Sequence, residues 1–250
     1  MFAQQTREPL FTSFDGTKLH YDVLGEGKPV VLLHGFIVNG ESWKRVPIRQ
    51  MLVDAGFKVV TLDLRGNGQS DKPHTLAAYE KDTEARDVMG LMRQLGLTNY
   101  DVVGYSRGAI ITARMLELDK QVRRAVMGGM GADFTNPNWP RRVAFAEVFQ
   151  GKAHLYPQYA GAVVSAKRNG ADTLALGFLQ QAQPSTSPAV LGHVRQPVLV
   201  ISGDKDSDNG TIEELAKLLP NSTLATVPGV HGDTMSKSEF GTRVVQFLTD

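Results

Sequence analysis

The sequence predicts an α/β fold: a mostly parallel central sheet flanked by helices, with a small helical insertion late in the sheet. Three observations predict it. Short continuous apolar runs such as Val30-Val31-Leu32-Leu33 suit strands covered on both faces. Segments with apolar residues at helical spacing lie between those runs, so strand and helix alternate. A stretch of about 60 residues, 132–190, shows no clear strand and is too long for a plain loop.

Composition sets the outer limits. The chain has 250 residues, a formal net charge of +1, 42% hydrophobic residues and no cysteine. That length can bury roughly three quarters of the unfolded surface, so a core is available without metals or disulfides. Absence of cysteine removes disulfide scaffolds, thiolate metal sites and thiol nucleophiles together. Balanced charge argues against a nucleic-acid partner. No apolar run approaches the ~20 residues that span a bilayer, so no membrane partner is expected. Met1-Phe2-Ala3-Gln4-Gln5 lacks the features of a signal peptide, which points to a cytoplasmic protein. Phe2-Ala3 also reads as the remnant of a cleavage site, which would make the protein exported and periplasmic.

The elements follow in order. Leu10–Phe14 and Lys18–Leu24 read as strands around a turn at Asp15-Gly16. Gly25-Glu26-Gly27-Lys28-Pro29 is a turn cluster before the strand Val30–Leu33. Ser42 is placed to cap a helix running through the Met51 region to Gly56. Phe57–Leu64 is a strand. Ala77–Leu95 is amphipathic, with Val88, Leu91, Met92 and Leu95 on one face and Gly96 to end it. Asp101–Val103, Val122–Met127, Pro197–Ser202 and Ser222–Val227 are strands. Ala109–Leu118, Ile212–Leu219 and Phe240–Leu248 are helices.

Within 132–190 lie Phe134, Trp139, Phe145, Phe149, Tyr156, Tyr159 and Phe178, with five prolines. The segment reads as two to four helices inserted between two strands. The expected organisation is a core of residues 1–131 and 191–250 and a helical cap of residues 132–190. Aromatics at helical spacing form either an extra packed layer or a lid over a pocket, and one segment can do both.

Gly104-Tyr105-Ser106-Arg107-Gly108 follows a strand and opens a helix. Such a turn presents a serine hydroxyl at the carboxyl end of the sheet, where open α/β sheets bind ligands. A serine needs a base, and the base an orienting carboxylate. Of His20, His34, His74, His154, His193 and His231, only His231 lies in the loop after the last strand, on the correct edge. The carboxylate should come from Asp204-Lys205-Asp206-Ser207-Asp208 at another strand end, with Asp206 preferred and Asp204 the runner-up. The same acids match the first, third and fifth positions of a calcium loop, but the glycine is displaced and the twelfth position is Leu215. For a developing oxyanion, the donors expected are the main-chain N–H groups of Phe36 and Arg107. The Arg107 side chain reads as a surface or supporting cation, or as a carboxylate-binding group beneath the lid.

These pieces together resemble the α/β-hydrolase superfamily. They are Leu33-His34-Gly35-Phe36 with Trp43, Asp63-Leu64-Arg65-Gly66-Asn67-Gly68-Gln69-Ser70, Gly104–Gly108, Gly203-Asp204-Lys205-Asp206 and Pro228-Gly229-Val230-His231. The order Ser106…Asp206…His231 is that family's order. The resemblance implies the α/β-hydrolase fold, selects Asp206 as the last residue of Gly-x-x-Asp, and makes 132–190 the family's cap. The chain departs from the family in two places. His231 comes one residue early after Pro-Gly, and Arg107 replaces the small or apolar residue usual after the serine.

The resemblance to the family's small serine esterases implies carboxylic ester hydrolysis of small to medium acyl chains, with Ser106 as nucleophile, His231 as base and Asp206 as orienting acid. The chain is also similar to the family's cofactor-free haloperoxidase/perhydrolase-like enzymes and carbon–carbon bond hydrolases. The resemblance therefore leaves as alternatives a carbon–carbon bond hydrolase, perhydrolase or lyase on the same triad, or a ligand receptor, which on this fold sometimes keeps an intact triad. Epoxide hydrolases and haloalkane dehalogenases use an aspartate where this chain has Ser106. The pocket is expected to be mainly apolar and lined by Phe36, Trp139, Phe145, Phe149 and Phe178. No cofactor or metal is expected. The expected partner is a small-molecule ester, and the protein a monomer or homodimer.

Overall fold

A hydrophobic strand buried on both faces needs helices above and below it, and that requirement organises the molecule. The computed structural model describes residues 9–250, so Met1–Gln5 and the expectations resting on them lie outside the described residues. Eight strands form one sheet in the order β1-β2-β4-β3-β5-β6-β7-β8. They are β1 (Leu10–Thr12), β2 (Lys18–Leu24), β3 (Lys28–Leu33), β4 (Phe57–Leu62), β5 (Tyr100–Tyr105), β6 (Val122–Gly128), β7 (Val198–Gly203) and β8 (Ser222–Val227). β1 and β2 run antiparallel, and every pairing from β4 to β8 is parallel.

The helices are α1 (Glu41–Lys44), α2 (Ile48–Asp54), α3 (Thr83–Gln94), α4 (Arg107–Leu118), α5 (Pro140–Glu147), α6 (Ala160–Arg168), α7 (Thr173–Gln181), α8 (Pro188–Leu191), α9 (Ile212–Leu218) and α10 (Ser238–Thr249). The central strands alternate their side chains between two apolar layers. Val31, Leu33, Val102 and Met127 face a core with Val88, Leu91, Ile111 and Met115. Val30, Leu32, Val103 and Val126 face a second core with Trp43, Leu52, Phe240 and Val244.

Several element boundaries differ from expectation, three of them for a readable reason. β1 stops at Thr12, because Ser13 begins the turn: its hydroxyl donates to Asp87 at 2.5 Å and its carbonyl accepts from Gly16. The helix expected to run from Ser42 to Gly56 is two helices. Pro47 lacks an N–H and disfavours helical backbone before it, so α1 and α2 part there. Ser42 is not the cap; it lies inside α1, where its hydroxyl donates to the Asn39 carbonyl at 2.8 Å. The helix expected from Ala77 begins at Thr83. Lys81 and Asp82 adopt φ of 58° and 57°, which a continuous helix does not accept. Asp82 is held there by Arg114, at 2.7 and 2.9 Å.

Between β6 and β7 the chain forms α5 to α8 with short helical turns between them. Phe149, Ala166, Leu176 and Leu179 build a third apolar cluster with Tyr79, and Phe36 and Phe178 pack against it. This cluster joins the inserted helices to the loop after β3.

Candidate active site

Ser106 sits between β5 and α4 with φ 55° and ψ −119°, a backbone conformation that costs roughly 1–3 kcal/mol for a residue with a side chain. Close approach maintains it. A Cβ on Gly104 would collide with the Gly108 carbonyl, and a Cβ on Gly108 with the Leu33 carbonyl. Glycine at both positions lets α4 press against β3 and β5, and the tight turn then projects the hydroxyl outward.

The structure brings Ser106, Asp206 and His231 together from the carboxyl ends of β5, β7 and β8, with β6 between the first two. His231 Nε2 lies 2.9 Å from Ser106 Oγ, and His231 Nδ1 lies 2.9 Å from Asp206 Oδ2. The Asp206 carboxylate is nearly buried, whereas the imidazole keeps 22% of its side-chain surface exposed. Burial pushes the Asp206 carboxyl up. The hydrogen bond and charge of His231 outweigh that, with help from the Ser202 hydroxyl and the Asp208 N–H, so it lies below the usual carboxylate value. An ionised Asp206 accepts from Nδ1–H, which leaves Nε2 with its lone pair toward the Ser106 hydroxyl. The trio can therefore move a proton from the hydroxyl to the imidazole.

The other acids of the run have separate duties. Asp204 accepts the Gly229 N–H at 2.9 Å and braces the histidine loop. Asp208 pairs with Arg141 at 3.2 Å. The three carboxylates thus serve three different partners, which does not fit the calcium-loop alternative. Among the other histidines, His20 is buried in β2, 3.5 Å from Asp63, and His193 faces the Ala189 carbonyl.

The loop after β3 approaches the serine, since a Cβ on Gly35 would lie 3.5 Å from the Ser106 Cβ. His34 holds that loop: Nδ1–H donates to the Gly35 carbonyl at 2.7 Å, and Nε2 accepts the Leu64 N–H at 3.0 Å. The Asn67 amide donates to the Phe36 and Val38 carbonyls at 3.0 Å each. Neither the Phe36 N–H nor the Arg107 N–H donates to an acceptor among the described residues.

A small cavity, partly open to solvent, begins at Ser106. Phe36, Trp139 and Phe145 line it, as expected from the sequence. Phe149 and Phe178 do not. Phe149 lies behind Phe36, edge-on at 5.0 Å, and Phe178 packs in the third apolar cluster. The exposed lining is mainly apolar, as expected, but Arg107, Arg141, Arg142, Gln180, Gln183 and Asn209 add polar groups to it. The sequence held one signal of this: adjacent arginines right after Pro140, in the first turn of a helix, where acids are favoured.

The Arg107 side chain is not on the surface. It is buried and grips Glu84 with both terminal nitrogens, one of them at 2.6 Å. It acts as a supporting cation and not as a free carboxylate receptor.

A mostly parallel α/β sheet that gathers a serine, a histidine and an aspartate at its carboxyl edge agrees with the comparisons to known proteins. The chain belongs to the α/β-hydrolase superfamily: the family model described as alpha/beta hydrolase fold matches residues 28–157. A non-heme chloroperoxidase of Kitasatospora aureofaciens is 27% identical, over 96% of this chain and 99% of that protein. An esterase from Exiguobacterium antarcticum has the same fold, with a TM-score of 0.81 at 23% identity, covering 98% of this chain and all of its own. A bromoperoxidase from Bacillus anthracis superposes with a TM-score of 0.72 at 26% identity, covering 94% and 96% of the two chains.

Proposed function

We propose that the protein is a serine hydrolase that cleaves carboxylic esters of small to medium acyl chain through an acyl-enzyme. One observation carries this reading: His231 lies within 2.9 Å of both Ser106 Oγ and Asp206 Oδ2. Ser106 Oγ attacks the ester carbonyl while His231 Nε2 takes its proton. Asp206 keeps the proton on Nδ1 and stabilises the imidazolium. The N–H groups of Phe36 and Arg107 receive the oxyanion. The imidazolium then protonates the leaving alcohol. Water, deprotonated by His231, releases the acid and restores Ser106.

The test pairs p-nitrophenyl esters of increasing chain length with a fluorophosphonate label, on wild type and Ser106→Ala. Turnover is expected to peak on short to medium chains, and the variant to lose both turnover and labelling. Undiminished labelling of Ser106→Ala would overturn the assignment.

The likeness to halide peroxidases supports a second reading. Hydrogen peroxide in place of water can attack the acyl-enzyme and release a peracid, with no change in the three residues. Peracid formation from acetate and peroxide, lost in Ser106→Ala, separates this activity from plain hydrolysis.

A further inference from the structure

Three guanidinium groups line the cavity that begins at Ser106, and their partners differ. Arg107 is neutralised by Glu84. Arg141 donates to Asp208 at 3.2 Å and lies over the Phe145 ring at 5.1 Å. Arg142 has no carboxylate partner among the described residues. Its one hydrogen bond reaches the Gln181 carbonyl at 3.5 Å, the outer limit of such a contact.

The position is unfavourable for a cation. Arg142 is half-buried, and burial lowers its pKa with no opposing carboxylate. It lies in the first turn of α5, where the helix dipole favours anions. Two neighbours share the predicament. Gln180 and Gln183 are 6% and 5% exposed and line the same cavity. Neither amide has a hydrogen-bond partner among the described residues, so both are free to bond a ligand that enters the cavity. A guanidinium and two amides thus face one space that holds no uncommitted carboxylate. Glu84 and Asp208 are each committed to another arginine, and Asp206 to His231.

We propose that the cavity binds a carboxylate carried by the substrate, with Arg142 as counter-ion and the Gln180 and Gln183 amides as further donors. One unmatched positive charge calls for a monoanion, and a planar guanidinium fork fits a carboxylate. The substrates are then anionic esters, such as half-esters of short dicarboxylic acids or lactones bearing a carboxylate. The inference rests on Ser106 acting as the nucleophile of a hydrolase.

The test compares mono-p-nitrophenyl glutarate with p-nitrophenyl valerate, of the same acyl length, in wild type, Arg142→Gln and Arg142→Lys. The readout is the ratio of the two kcat/KM values within each protein, so a general loss of activity cancels. Wild type is expected to favour the anionic ester about tenfold or more. Arg142→Gln is expected to erase that preference through KM, and Arg142→Lys to keep part of it. A wild-type ratio near one, or an unchanged ratio in Arg142→Gln, overturns the proposal.

Glutarate binding to Ser106→Ala, read as a thermal shift, separates the two levels of inference. A glutarate shift that needs Arg142, with no ester of either kind cleaved by the wild type, keeps the carboxylate site and removes the hydrolase reading. Cleavage of the neutral ester with no glutarate shift and no anionic preference does the reverse.

Discussion

The Tyr105 hydroxyl donates a 2.7 Å hydrogen bond to the main-chain carbonyl of His231. The residue before Ser106 thus anchors the loop that carries the imidazole, across 126 positions of sequence. Its ring also lies 5.5 Å from the imidazole. Tyr105→Phe keeps the ring contact and removes the tether. The expected result is a three- to tenfold fall in kcat with KM little changed, since a neutral hydrogen bond contributes about 1 kcal/mol. Steady-state kinetics on a simple aryl ester check it.

Asp206 and Asp204 should separate cleanly. Asp206→Asn presents an amide where Nδ1–H needs an anion, and kcat is expected to fall about 10³- to 10⁴-fold. Asp204→Asn loses part of one bond to the Gly229 N–H and is expected to cost about 1 kcal/mol of stability. Because the Asp206 carboxyl lies below its ordinary value, it stays ionised at mildly acid pH. An acid limb of kcat/KM that survives unchanged in Asp204→Asn and tracks a group other than Asp206 is the expected profile.

The Arg107–Glu84 pair sits under the cavity with both side chains 4% exposed. Removing one partner strands a buried charge. Glu84→Gln is expected to destabilise the fold by about 3 kcal/mol in urea unfolding. Glu84→Gln combined with Arg107→Met should recover part of that loss. A double variant no more stable than the single one would show that the pair is not the cause.

His34 predicts a pH slope. Burial lowers its pKa from the ordinary 6.5, against the pull of the Gly35 carbonyl and Asp63. The unfolded chain therefore takes up a proton near pH 6.5 that the folded chain refuses until lower pH. Unfolding free energy should be constant from this source above about 6.5 and decrease as pH falls below it. His34→Gln should flatten that slope, at the cost of a weaker tie to the Leu64 N–H, as chemical denaturation at pH 5 and pH 8 would show.

Much of this was legible in the sequence, for identifiable reasons. Val30–Leu33 and Val198–Ile201 are apolar on both faces, so burial dictated their conformation. Ser106 and His231 stood at strand ends beside glycines. What the sequence concealed depends on contacts between distant residues. Nothing near Arg107 announces Glu84, 23 positions away, and nothing near Arg141 announces Asp208. The break at Pro47 was readable from proline chemistry, but the cap expected at Ser42 and the stop at Gly56 argued for one helix. Phe149 stands four positions after Phe145 and Phe178 on another helix, and only packing decides which ring reaches the cavity.

The backbone at Ser106 has one more consequence. Among the described residues Lys81, Asp82 and Asn99 also have positive φ, but Asp82 pairs it with ψ 27°, in the left-handed helical region, whereas Ser106 pairs it with ψ −119°. Glycine adopts that conformation freely. Ser106→Gly should therefore melt at a higher temperature than Ser106→Ala and above the wild type. The protein would be sturdier with no side chain at this position, so the residue proposed as nucleophile is also one at which the backbone is strained.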